Sequence, residues 1–155
     1  MEKTHESVIQ LWQSYLKKHA LANDTPRPPH YYFCNNKKDA DECAELVVQG
    51  HKKATAGCLW DYERLNEEIP KVGDQFIITN YDGIAKGLVE TTKVENIPFN
   101  QITEEHAFTE GEGDKSLAYW RKVHIEFFEK EFEKTNLKVT EDMPIIFETF
   151  KVIHQ

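Results

Sequence analysis

Cysteine is scarce in this chain, and what there is does not pair by pattern: Cys34, Cys43 and Cys58 are odd in number and show no C-x-x-C spacing. Neither a disulfide framework nor a structural zinc site is implied, and the three are expected as buried free thiols. No apolar run approaches the roughly 18 residues of a spanning helix, and the opening segment "MEKTHESVIQ" lacks the basic start and apolar core of a secretory signal. The cytoplasm is the expected compartment, with no membrane partner. Positive charge is also short, since 19 Lys and Arg face 27 Asp and Glu for a net charge of −8. The deficit is uneven: residues 1–38 carry six basic residues against three acids, residues 39–155 thirteen against twenty-four. So acidic a body is a poor non-specific binder of DNA or any long polyanion, because counterion release needs a basic surface. No DNA partner is expected, and a nucleic-acid ligand would need a local basic pocket or be small. His51, His106 and His124 have no H-x-x-x-H spacing, so no metal or other cofactor is proposed.

Aromatic residues, by contrast, are plentiful: 9 Phe, 6 Tyr and 3 Trp in 155 residues supply the core of one globular unit. From about His5 to His19, Val8, Leu11, Trp12, Tyr15 and Leu16 recur at helical spacing. The proline-broken "ANDTPRPPH" then forms an ordered connector. Residues 1–30 are read as a helix and connector packed on a domain of residues 31–155. Within that domain "YYFC" reads as a strand, and a helix over 39–49 follows, with acids in its first turn and Gly50 at its end. "ATAGCLWDY" reads as a second strand. "QFIITN" and "IAKGLVETTKVENI" should pair as a hairpin about Asp82-Gly83, with Gly87 marking a bulge or bend. Residues 103–132 are helical in two pieces split by "EGEGD", the second capped by Asp114 or Ser116, and "PIIFETFKVI" is a closing strand. Short strands interrupted by helices, without regular strand–helix alternation, predict an α+β domain around a small, curved, mixed sheet.

The chemistry gathers at residues 50–57, "GHKKATAG". Lys52 and Lys53 suit the negative pole of the preceding helix, a purely structural use, but that use leaves Thr55 unexplained. A lysine and a threonine three apart can also face one cleft, where a carboxylate from another loop completes a set of nucleophile, base and acid. Threonine needs a base to take its proton. Lys52 is one only if burial and the adjacent Lys53 charge depress its pKa toward neutrality. The acids on offer are Glu104, Glu105, Glu110, Glu112 and Asp114, among glycines that permit close backbone approach. Trp60 is a stacking or a core residue, Ser116 a cap or a phosphate contact, and Arg121 a surface residue or a phosphate ligand.

"GHKKATAG" resembles the G-x-K-x-x-T signature of the ASCH domain, and "KVGDQFIITNYDGIAKGLVETTKV" resembles the barrel strands that follow it in that family. "EEHAFTEGEGDKSLAYWRKVHIEFF" is similar to the acidic loop and helix of its larger bacterial members. The resemblance spans roughly residues 30–153. It implies a PUA-like small mixed β-barrel with flanking helices, an N-terminal helical extension, and a cleft at the barrel mouth that binds RNA or a nucleoside. Small bacterial relatives are amidohydrolases that deacetylate acetylcytidine with a lysine, a threonine and a glutamate. On the matching motif these fall on Lys52, Thr55 and Glu110, with Lys53, Trp60, Asp114, Ser116 and Arg121 as substrate-binding candidates. The leading expectation is a hydrolase that removes an acyl group from a modified nucleoside. Thr55 is then the nucleophile, Lys52 the general base, and Glu110 orients or shuttles the proton. The alternatives are a ribonuclease acting on single-stranded RNA, with Lys52 and Lys53 facing phosphate, and a non-catalytic RNA-binding module.

Overall fold

The computed structural model describes residues 3–155. Helix α1 (Glu6–Lys18) opens at His5, whose ring nitrogen accepts from the Ser7 amide. It buries Val8, Trp12 and Leu16, the stripe its periodicity predicts. Strand β1 is only His30–Tyr31, shorter than the aromatic run suggests, because the chain leaves extended geometry and Cys34 turns left-handed at φ 69°. Helix α2 (Lys37–Val48) starts two residues earlier than predicted, since the Asn36 side chain caps the Asp39 amide. Gly50 follows its end at φ 79°, as expected of a residue in that position.

Strand β2 (Ala54–Cys58) stops sooner than its sequence suggests: Leu59–Leu65 winds into helix α3, so Trp60 is helical rather than extended. Strands β3 (Gln75–Thr79) and β4 (Ala85–Pro98) form the predicted hairpin. Its register shifts beside Gly87, where Ile78 pairs with Gly87 but Thr79 with Ala85. Two further shifts, along β4 and β5 (Pro144–His154), bend this long ribbon. Helices α4 (Glu104–Glu110) and α5 (Leu117–Phe132) are capped by Thr103 and Ser116, and the glycine loop separates them as predicted.

The strands make one five-stranded mixed sheet in the order β1-β3-β4-β5-β2. Bulges curl it, so the edge strands β1 and β2 approach each other across a seam without being neighbours in the hydrogen-bonded order. One core packs α4 and α5 against β2 and β5 through Phe99, Trp120, Phe128 and Phe147. A second sets α2 on the curled face through Val47, Phe76 and Phe150, and a third seats α1 against Ile77 and Leu88. Among the described residues no helix is long and apolar enough to cross a membrane.

Candidate functional site in the unclosed seam

Lys53 is exposed, its backbone bonding Thr109 and Phe150. Lys52 points inward and is only 2% exposed. It therefore does not serve the α2 terminus as a surface cation, nor does it form a basic patch with Lys53. Its ammonium donates to the Ala54 carbonyl at 2.8 Å and lies 2.9 Å from Glu112 Oε1, 3.7 Å from Glu110 Oε2 and 5.1 Å from the centre of the Phe33 ring.

Glu110 ends α4, is equally buried, and is held on both oxygens. Trp120 Nε1–H donates to Oε1 at 3.0 Å, and His124 Nε2 sits 2.8 Å from Oε2. The other ring nitrogen of His124, Nδ1, lies 2.7 Å from the Trp120 carbonyl, which can only accept. Both nitrogens thus carry protons, and the imidazolium stacks at 3.9 Å on the Trp120 indole. Burial opposes this charge, but the Glu110 carboxylate outweighs it and holds the His124 pKa above its ordinary value. Burial likewise raises the Glu110 pKa, while His124 and then Lys52 more than reverse it, to about 2.

The same reasoning corrects the expectation for Lys52. Burial alone favours the neutral amine, but Glu112 and Glu110 overcome it, and the pKa stands above the ordinary lysine value. Lys53 is not among the causes. Lys52 is an ammonium, and the general-base role that needs a neutral lysine does not fit this geometry. The close approach that makes the cluster rests on Gly111, at φ 77°, where an added Cβ would overlap the His51 carbonyl.

Thr55 stands above this cluster on β2, half-buried, where two cavities meet. One, of about 300 Å³, runs between α2 and α5 past Cys43, Glu110, Glu112 and His124. The other, of about 740 Å³, fills the gap between β1 and β2 and is walled by Tyr31, Tyr62, Phe76 and Glu148. They share Phe33, Cys34, Thr55, Ala56 and Phe127, so the seam is one cleft with Thr55 at its waist. Nine carboxylate residues line it, against Lys71, Lys130 and His124. The sulfurs of Cys34 and Cys43 lie 3.4 Å apart, and Cys43 donates to Glu112 at 3.1 Å. With Glu112 they place three donor atoms within 4.8 Å, but the Lys52 ammonium already occupies Glu112 Oε1, which disfavours a second cation there.

Of the eight residues singled out in the sequence, Thr55 and Glu110 line the cleft, and Lys52 pairs with Glu110 behind its wall. The others do not line the cleft. Trp60 packs against Phe132, Ser116 caps α5, Asp114 accepts from the Ser116 amide, and Arg121 pairs with Glu141 at 2.7 Å. Sequence reasoning passed over His124, Glu148, Tyr31 and Tyr62. A histidine four residues after Trp120 and a charged residue inside the apolar run "IIFETF" were the available signals.

The ASCH domain family model matches residues 29–154. Among solved structures, the ASCH domain from Lactobacillus crispatus JV V101 is 31% identical, covers 100% of this chain and 99% of its own, and superposes with a TM-score of 0.89. Protein EF3133 from Enterococcus faecalis V583 is 32% identical over 96% of this chain and 89% of its own, with a TM-score of 0.86. Hypothetical protein PH0355, 23% identical with a TM-score of 0.51 over 73% of this chain and 93% of its own, shares the fold alone. No curated protein matches. The signature, the curled sheet and the match over nearly the whole domain agree, and the chain belongs to the ASCH domain family.

Proposed function

We propose that the seam binds a modified nucleoside and hydrolyses an acyl group from it, acetylcytidine being the reference substrate. The family is thought to bind RNA. The observation that carries the nucleoside reading is the charge of the cleft around Thr55, where carboxylates outnumber cations three to one. A phosphodiester chain would meet repulsion on both sides, and its recognition needs cations. An uncharged nucleoside meets aromatic walls and hydrogen-bonding groups instead. The ribonuclease alternative loses its motivating feature, because Lys52 is committed to Glu110 and Glu112 while Lys53 is exposed and not among the residues lining the cleft.

In this reading the Thr55 hydroxyl attacks the acyl carbon, the carbon–nitrogen bond breaks, and the leaving amine takes a proton. Water then cleaves the threonyl ester and releases the acid. Lys52 anchors the strand from below through the Ala54 carbonyl, and Glu110 holds Lys52 and His124 in place. Burial pushes the Tyr62 hydroxyl up to about 12 and raises that of Tyr31, so both stay protonated donors at neutral pH. The test is incubation with acetylcytidine and chromatography of the products. Cytidine released by the wild type and not by Thr55→Ala supports the proposal. Absence of release, together with RNA affinity that falls steeply with salt, replaces it with an RNA-binding module.

A further inference from the structure

Thr55 requires a proton acceptor, and with Lys52 held as an ammonium the usual reading of the signature leaves that position open. The register of the sheet fills it. Thr55 on β2 pairs directly with Glu148 on β5. Residues opposite one another in an antiparallel ladder project to the same side with Cβ atoms about 4.5–5.5 Å apart. Both line the larger cavity, and Lys52 lines neither. Glu148 is 5% exposed, and one of its oxygens is taken by the Thr91 hydroxyl at 2.6 Å. No buried side-chain oxygen among the described residues lacks a partner, so the second oxygen opens on the cleft. We infer that Glu148 is the general base that takes the Thr55 proton, a catalytic residue outside the signature.

The surroundings suit that role. β4 supplies Thr91; α3 supplies Tyr62 and β1 Tyr31. The loop before β3 supplies Glu67, Glu68 and Asp74, the last already paired with Lys71 at 3.0 Å. Among the described residues no cation pairs with Glu148 itself. Burial, only partly offset by the Thr91 hydrogen bond and reinforced by Asp74, raises its pKa above the ordinary carboxylate value, which makes it a stronger proton acceptor. When Thr55 attacks, its proton passes to Glu148, which returns it to the leaving nitrogen. Proton and charge balance within the pair and the substrate.

The inference rests on Thr55 acting as a nucleophile, but its test does not depend on the identity of the natural substrate. The full chain is treated with p-nitrophenyl acetate over roughly pH 5 to 9, and mass spectrometry of peptides follows acetylation of Thr55. Glu148→Gln, which keeps an oxygen for Thr91, should acetylate at least about 100-fold more slowly, the usual worth of a general base. Thr91→Val removes a hydrogen bond that favours the carboxylate, so its acetylation should begin at higher pH than in the wild type. This shift is not expected of a merely structural residue, and it carries the test if Glu148→Gln fails to fold. A wild type that never acetylates at Thr55 overturns the inference. So does a folded Glu148→Gln within threefold of wild type, or an unmoved pH profile in Thr91→Val. Acetylation of Thr55 without cytidine release from acetylcytidine removes the substrate proposal and leaves the base standing.

Discussion

Replacing Lys52 with methionine preserves length and flexibility while deleting the ammonium that two buried carboxylates share. At the observed 2.9 Å and 3.7 Å the attractions to Glu112 and Glu110 are roughly 6 and 4 kcal/mol at an effective dielectric of ~20. Desolvation of the ammonium offsets much of this, and removal of one partner from a buried ion pair costs about 3–5 kcal/mol in practice. For a chain of this size that corresponds to a melting temperature lower by roughly 6–20 °C. Urea unfolding of both proteins across acid pH tests the electrostatic origin. In the wild type the Glu110 pKa is depressed to about 2, so its contribution is present above the unfolded value of about 4.3 and disappears as pH falls through about 2. Having lost one cation, Glu110 in Lys52→Met takes up its proton at higher pH. The deficit should therefore narrow below about pH 4. A variant within about 1 kcal/mol of wild type, or a deficit constant across that range, refutes the reasoning.

Gly111→Ala should cost well over 2 kcal/mol, through overlap with the His51 carbonyl as well as left-handed strain. Gly50→Ala, with the same sign of φ but open space, should cost only about 1 kcal/mol; equal losses in thermal melts would discount the close approach. The His124 pKa is raised, so its contribution to stability is full below the unfolded value of about 6.5 and lost as pH rises through the folded one. Its ring resonances in NMR should remain those of an imidazolium at pH values where an exposed histidine is neutral. Trp120→Phe deletes the indole donor to Glu110 and should cost about 1.5–3 kcal/mol in urea unfolding.

What was legible in the sequence was mostly periodic or punctuated. The stripe of α1, the β3–β4 hairpin with its bulge, and the split of α4 from α5 each carry a local signal that tertiary contacts reinforce. The strand predicted through "CLWDY" failed because aromatic content favours strands on average, whereas Trp60 finds its partner, Phe132, by turning into a helix. The charge state of Lys52 was illegible for a different reason. Its sequence neighbour is Lys53, but its spatial neighbours are Glu110 and Glu112, some sixty residues away. Glu148 escaped because a glutamate in a strand reads as solvent-facing until the register shows what stands opposite. Substituting arginine for Lys52, an attractive probe of a basic lysine, would here overfill an enclosed space and report packing instead.

Helix α1 lies ahead of the segment matched by the family model, yet its Val8, Trp12 and Leu16 cover Ile77 and Leu88 at the centre of the hairpin. Three such side chains represent roughly 5–9 kcal/mol of apolar burial, against a total stability of about 5–15 kcal/mol for an ordinary domain. The boundary drawn by resemblance and the boundary of the cooperative unit therefore differ. A chain begun at Pro29 would keep every residue of the cleft while wetting the outer face of β3 and β4. Such a protein should bind poorly because it unfolds or self-associates, with its binding groups all in place.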